Sequence, residues 1–295
     1  MKKVILAGGT GFIGNYFKEQ FMERGYDVHI ISRHPSYISW NDESAIIDVL
    51  EGAELLVNLA GKSVNCRYNE KNKNDIMNSR LETTSILGEA ILSCDNPPNV
   101  WMNSSTATIY RHAEDRPMTE ENGEIGTGFS VDVAVNWEKT FFSFDLPETR
   151  QMALRTAIVL GENGGVMTPY RNLVKFGLGG AQGTGNQTFS WIHIEDLFQI
   201  VLFLKDRSDC SGVFNCSAPN PVSNQELMRE LRTVMTIPLG LPSPKWLLEM
   251  GAVFIRTETE LILKSRWIVP EKLLNKGYTF TFETLHQSLQ DILQE

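Results

Sequence analysis

The run Val4-Ile5-Leu6-Ala7, followed at once by Gly8-Gly9-Thr10-Gly11-Phe12-Ile13-Gly14, constrains this 295-residue chain more than any other feature. Four apolar residues in succession fit a parallel strand covered on both faces. The glycines satisfy both G-x-G-x-x-G (Gly9, Gly11, Gly14) and G-x-x-G-x-x-G (Gly8, Gly11, Gly14). A helix is expected from about Phe12 to Arg24, with Ile13, Phe17, Phe21 and Met22 on its inner stripe and Gly25 ending it. The second strand is expected from Asp27 to Ser32. In such a unit Gly8 or Gly9 allows a tight turn, Gly11 lets a pyrophosphate approach the backbone, and Gly14 lets helix pack on strand. The pyrophosphate then sits on the helix N-terminus, where free N–H groups and the helix dipole favour negative charge.

The end of the second strand selects the dinucleotide. An NAD site usually places Asp or Glu there to bond the ribose 2′-hydroxyl. This chain has Ser32-Arg33-His34 instead. Ser32 can bond a 2′-phosphate, and Arg33 can pair with it and stack on adenine, so the expected cofactor is NADP(H).

Composition narrows the class further. With 36 acidic and 27 basic side chains the net charge is −9, which argues against a nucleic-acid partner. No apolar run approaches the roughly 18 residues of a membrane helix. Cys66, Cys94, Cys210 and Cys216 are scattered without a C-x-x-C pair, so free thiols in a reducing, cytoplasmic setting are expected. His29, His34, His112, His193 and His286 form no ligand-spaced cluster, and no metal site is expected.

Strand and helix patterns alternate along the rest of the chain. Glu54 to Gly61 reads as a third strand, Asp75 to Ile91 as a long helix (Ile76, Leu81, Thr84, Leu87, Gly88, Ile91), and Val100 to Ser105 as a strand. Ser130 to Phe144 is a further helix and Met152 to Leu160 a strand. This alternation implies an α/β fold with a Rossmann-type, doubly wound parallel sheet. The last third is helical and apolar. Ser223 or Asn224 caps a helix Gln225–Met235, and Ser243-Pro244 opens another through Phe254, with Trp246, Leu247, Met250, Phe254 and Ile255 as its stripe. Packing on the sheet edge as a substrate lobe is the expected role of that helix; a homodimer interface is the alternative.

These residues together resemble the extended short-chain dehydrogenase/reductases, and within them an atypical epimerase-family branch. The resemblance rests on G-G-T-G-F-I-G at 8–14, S-R at 32–33, N-L-A-G at 58–61, S-R-L-E-T-T at 79–84 and W-E at 137–138. It continues through L-R-T-A-I-V-L-G at 154–161, F-G-L-G-G at 176–180, the W-I-H-I-E-D-L block ending at 197, and V-P-E-K-L-L-N-K-G-Y-T-F at 269–280. It implies an NADP(H)-binding domain over 1–165, completed by about 193–216. A smaller, mainly helical substrate-binding lobe would cover 166–192 and 217–295. The cofactor site is accordingly assigned to Gly8, Thr10, Gly11, Phe12, Ile13, Ser32, Arg33, Leu59, Ala60, Gly61, Arg80, Ser104 and Ile158, with Arg80 reaching toward phosphate or ribose.

In that family a Tyr and a Lys four residues later share a helix face, and the Lys lowers the Tyr pKa so that phenolate can act as base. No tyrosine here has lysine at the fourth position, and the matching positions read Ala134 and Glu138. The strand-end motif Ser104-Ser105-Thr106-Ala107-Thr108-Ile109-Tyr110 survives and puts Thr106 at the substrate-hydroxyl position. Tyr110 and Glu138 are the candidate replacement acid/base groups, with the alternative that Glu138 pairs with Arg80 or Arg155. His193 reads as a core histidine and Asp196 as a cap. The glycine-rich 176–185 segment reads as a substrate-facing loop. The expectation is an NADP(H)-dependent oxidoreductase or epimerase acting on a small hydroxyl or carbonyl compound. Its rival is a catalytically silent NADP(H)-binding regulatory or partner-binding protein.

Overall fold

The computed structural model describes residues 2–242 and 264–294. The expected helix from Ser243 through Phe254, with Trp246, Leu247, Met250, Phe254 and Ile255, lies outside them.

Six parallel strands form the main sheet: β1 (Lys3–Ala7), β2 (Asp27–Ile31), β3 (Leu55–Asn58), β4 (Val100–Thr106), β5 (Arg150–Thr156) and β9 (Gly212–Cys216). Their order is β2-β1-β3-β4-β5-β9, so the chain reverses direction across the sheet between β1 and β3. The pleat explains why β1 reads as an unbroken apolar run. Val4 and Leu6 face one core, with Phe17 and Phe21 of α1 (Phe12–Glu23) and Phe198 of α6 (Ile194–Lys205). Ile5 and Ala7 face the other, with α2 (Glu43–Leu50), α3 (Glu70–Leu92) and α4 (Phe129–Phe141). Each fully buried Ile, Leu or Phe there stabilises by about 1.5–3 kcal/mol.

Two details differ from the sequence expectation. Met22 is 55% exposed rather than part of the α1 stripe, which Phe17 and Phe21 fill. The apolar stretch 152–160 is two strands, because the chain leaves the main sheet after Thr156. Its continuation, β6 (Ile158–Leu160), pairs with β8 (Trp191–His193). Continuous hydrophobicity hides that break, since both halves are apolar and at least half-buried.

A separate apolar cluster is built from α5 (Met167–Lys175), β7 (Thr188–Phe189), β10 (Val222–Ser223), α7 (Asn224–Val234) and α9 (Leu285–Leu293). It joins Leu160, Trp191, Leu227, Leu231, Leu285 and Leu289. The short α8 (Glu271–Asn275) packs beside β9. Ser223 caps α7 by accepting from Glu226 N at 3.1 Å, one of the two caps expected. The W-I-H-I-E-D block is the β8–α6 junction; His193 is buried there as expected, but it and not Asp196 supplies the cap. His193 is the N-cap, its Nδ1 accepting from Glu195 N. Asp196 instead accepts from Thr281 N and Phe282 N at 2.8 and 2.9 Å, tying the C-terminal segment to α6. No described helix is long and apolar enough to cross a membrane.

Candidate functional site

In an open α/β sheet the crevice outside the carboxyl ends of the strands, where strand order reverses, is the favoured ligand site. Here that crevice opens between the loops after β1 and β3 and holds about 1060 Å³. Its walls include eight residues expected from the sequence: Gly8, Thr10, Gly11, Ser32, Arg33, Leu59, Ala60 and Gly61.

The glycine loop is shaped by contacts that admit no side chain. Gly8 has φ +76°, and a Cβ there would lie 2.6 Å from the Ala60 backbone. A Cβ on Gly14 would lie 2.6 Å from the Gly9 backbone, so α1 is drawn hard against the loop. Gly11 meets nothing within 4 Å, has no side-chain cap, and begins a helix with no acidic residue in its first turn. A helix start of this kind leaves N–H groups for an anion at the cleft wall.

The opposite loop is fixed from inside by a polar cluster the sequence reading passed over. Buried Asn58 donates to Asn103 Oδ1 at 2.7 Å and to Thr84 Oγ1 at 3.2 Å, while its own Oδ1 accepts from Ala60 N at 3.0 Å. Trp137 Nε1 completes it by donating to Thr84 Oγ1 at 3.0 Å. Every buried polar atom in this group has a partner, which holds Leu59-Ala60-Gly61 in one conformation.

Arg80 reaches under that loop. Its guanidinium donates to the carbonyls of Ile76 and Lys62 at 2.9 and 3.1 Å and lies 5.0 Å over the Trp137 ring. A Cβ on Gly61 would come within 3.0 Å of Arg80 Cζ. Burial pushes the Arg80 pKa down to about 10, which leaves it charged at neutral pH. At the other end, Ser32 is buried and its Oγ accepts from His34 N at 3.0 Å, fixing the turn. Arg33 beside it is exposed and makes no ion pair among the described residues.

The cleft also has walls absent from the sequence expectation. One is Ser39-Trp40-Asn41, which returns beside β2 through the Ile31–Ile38 bridge. Another is one face of α3, with Asp75, Ser79, Glu82, Thr83 and Ile86. Their spacing of three and four was visible in the sequence, but as the polar side of a helix whose buried side drew attention. Lys62 lines the cleft as well, paired to Asp75 at 2.7 Å; hydrogen bonds from Lys62 and Lys71 hold that carboxyl at about 2.

Five expected cofactor residues fall outside these walls: Arg80, buried behind Gly61, and four more. The Phe12 ring packs under Gly161, Gly164 and Gly165, and Ile13 packs against the sheet core. Ser104 is half-buried on β4, and Ile158 lines a separate narrow recess with Tyr170 and Arg266.

The acid/base candidates divide. Thr106 ends β4 half-buried, its Oγ1 accepting from Thr108 N at 3.1 Å. Ala134 is fully buried. Glu138 takes the alternative foreseen for it: Arg155 grips it with two hydrogen bonds, Nε to Oε1 at 2.8 Å and Nη2 to Oε2 at 2.7 Å. Ser105 Oγ donates to Glu138 Oε1 at 2.5 Å. Tyr110, 2% exposed, donates to Asn215 Oδ1 and accepts from Arg155 Nη1, each at 2.9 Å. Burial raises the Tyr110 pKa, against the pull of Arg155. Tyr110 and Glu138 thus form one interior network behind the strand end, and neither lines the cleft, which corrects their reading as groups open to substrate.

Comparison with known proteins agrees with this architecture. The NAD dependent epimerase/dehydratase family matches residues 4–128, and a domain of unknown function, DUF1731, matches 243–292. The human epimerase family protein SDR39U1 is 31% identical over 99% of both chains. The Bacillus subtilis epimerase family protein YfhF is 29% identical, covering 99% of this chain and 98% of its own. The crystal structure of human SDR39U1 (isoform 2) with NADPH superposes with a TM-score of 0.90 at 30% identity, over 99% of both chains. By likeness along its whole length, this chain belongs to the epimerase family, among the NAD dependent epimerase/dehydratase proteins.

Proposed function

We propose that this protein binds NADP(H) along the β1–β3 cleft and uses it in an oxidoreductase or epimerase reaction on a small hydroxyl or carbonyl compound. The observation that carries the reading is the uncapped start of α1 beside the Gly8–Ala60 contact, with Arg33 exposed at the far end of the same cleft. The α1 N–H groups from Gly11 to Ile13 hold the pyrophosphate. Ser32 and Arg33 take the 2′-phosphate, and Arg80 approaches phosphate or ribose beneath Gly61. The bound nicotinamide supplies or accepts hydride. Thr106 holds the substrate oxygen at the end of β4. Behind it, the Arg155–Glu138–Ser105 chain keeps the strand end in place and has no direct part in proton transfer. Residues 1–165, completed by 193–216, form the cofactor domain; 166–192 and 217–295 form the substrate lobe. NADPH titrated by fluorescence should bind at least roughly tenfold tighter than NADH, the minimum expected of one charge-assisted contact. Equal or tighter binding of NADH sinks the cofactor assignment.

A second reading, a cofactor-binding protein without turnover, draws on the same interior network, because both groups that could replace the missing Tyr and Lys are spent on each other's partners. Single-turnover oxidation of NADPH across a panel of carbonyl compounds separates the two. Turnover slowed about 100-fold or more by Thr106→Ala supports the enzyme, and no turnover with any compound supports the silent binder.

A further inference from the structure

Phe12 opens α1 at the proposed pyrophosphate site, and its backbone and its ring meet different parts of the chain. The backbone belongs to the uncapped first turn. The ring lies under the connection from β6 to α5, where a Cβ on Gly161, Gly164 or Gly165 would stand 2.8, 2.6 or 3.1 Å from a ring atom. At Gly161 and Gly164 no methyl fits unless the ring moves, so backbone rests directly on the ring. Gly161 is bounded on its other side by Ile194 Cγ2, and Gly165, at φ +61°, turns the chain toward α5. One helical turn along α1, Tyr16 donates to Glu195 Oε2, so the same face of α1 also grips the start of α6. The helix that follows the glycine turn is lightly held. Among the nine residues of α5, Met167 and Val174 are the buried ones, and its start has no side-chain cap. Gly177, at φ +76°, follows its end. A segment with so few buried apolar contacts opens at low cost unless its ends are fixed.

We propose that Phe12 is a positioning residue that couples the two halves of the reaction site: a dinucleotide held by the first turn of α1 fixes the Phe12 ring, and through it the 161–165 turn and α5. This coupling rests on the NADP(H) reading of the cleft. A pyrophosphate bound to the N–H groups from Gly11 to Ile13 holds the first turn in one orientation. The ring passes that constraint on because it bears on glycine backbone. Long side chains at such a contact would absorb a shift by changing rotamer, whereas close-packed ring and backbone transmit it. Tyr16 holds α6 to the same helix, so the turn is pinned between Phe12 and Ile194 rather than free to follow α5. The glycine-rich 176–185 segment, which continues from α5, is thereby set over the substrate only when the cofactor is in place.

Hydrogen exchange of the full chain, followed by mass spectrometry with and without saturating NADPH, tests the coupling. NADPH should protect residues 8–14 and also slow exchange in 161–175 by about fivefold or more, the low end of coupling between sites. Phe12→Leu keeps an apolar side chain under the turn and should retain most of the remote effect. Phe12→Ala should abolish it while protection at 8–14 persists. Gly164→Ala forces the ring away from the far side, with its methyl 2.6 Å from Phe12 Cδ2, and should abolish it too. A Phe12 that served packing alone would loosen 161–175 equally in the free and the NADPH-bound protein. If Phe12→Ala does not fold, Gly164→Ala decides. Remote slowing that survives Gly164→Ala undiminished, or an unaltered response in Phe12→Ala, overturns the coupling. NADPH that protects neither region removes the cofactor reading and the coupling with it, whereas protection confined to 8–14 removes the coupling alone.

Discussion

Replacing Arg155 by Met should cost about 3–5 kcal/mol of folding stability, the range for breaking a buried ion pair from one side. Arg155 and Glu138 are 9% and 8% exposed and are joined by two hydrogen bonds of 2.8 and 2.7 Å. With the guanidinium gone, the carboxylate keeps only the Ser105 hydroxyl as partner, in surroundings that cannot hydrate it. Glu138→Gln leaves the mirror problem, a buried cation with a neutral amide, and should fall in the same range. The double variant Arg155→Met/Glu138→Leu removes both ions and with them the burial cost of each. What remains is one lost partner each for Ser105 and Tyr110, at about 1 kcal/mol apiece. The double should therefore be more stable than either single. Domains of ordinary stability have only about 5–15 kcal/mol in hand, so the singles should be marginal. Urea unfolding followed by tryptophan fluorescence measures all four proteins. Singles that lose less than about 1 kcal/mol, or a double that loses the sum of the singles, would refute the account of this network as a closed ion pair.

Three further outcomes are expected. Gly14→Ala puts a methyl 2.6 Å from the Gly9 backbone, and the shift this forces, about 1–3 kcal/mol, should weaken NADPH binding in a fluorescence titration. Arg33→Ala should weaken NADPH by about 10- to 150-fold, the loss of one charge-assisted contact of about 1.5–3 kcal/mol, with NADH affinity nearly unchanged in the same assay. Burial holds the His193 pKa below its ordinary 6.5, although Asp291, Asp196 and Glu195 oppose the shift. In the window between the two values the unfolded chain binds more protons, so stability should rise with pH through it and fall as pH drops below about 6.5. His193→Gln should flatten that slope in urea titrations between about pH 5 and 7.5.

The sheet and the glycine loop were legible because each depends on local pattern. The β1 apolar run and the spacing of Gly8, Gly11 and Gly14 require nothing from elsewhere in the chain to be recognised. What stayed hidden depends on partners distant in sequence. Asn58, Asn103 and Thr84 are unremarked polar residues until three elements bring them together. Trp40 joins the cleft only because residues 38–41 return beside β2. Glu138 illustrates the converse case. Helix spacing put it where the family's lysine stands, but whether a carboxylate there faces substrate or a buried arginine is settled by β5, seventeen residues on. Asp196 was misread for the same reason: a helix-start acid suggests a cap, and its partners Thr281 and Phe282 lie far down the chain.

The net charge of −9 and the proposed binding of a polyanionic cofactor are compatible only if affinity is local. The cleft bears this out in its chemistry. Asp75 and Glu82 sit on its walls with Lys62 and Arg33, so side-chain charges there nearly cancel. The groups left to favour an anion are the unpartnered N–H dipoles at the start of α1 and Arg33 at the mouth, with the Arg80 charge buried behind Gly61. Backbone dipoles act within the first turn, and at physiological salt the charged surface beyond about 8 Å is screened. NADPH affinity should thus depend on added salt mainly through exposed Arg33. A titration repeated from about 0.05 to 0.5 M salt should show a shallow slope that Arg33→Ala removes. A steep slope surviving that substitution would mean that long-range field, and not the architecture of the glycine loop, governs binding.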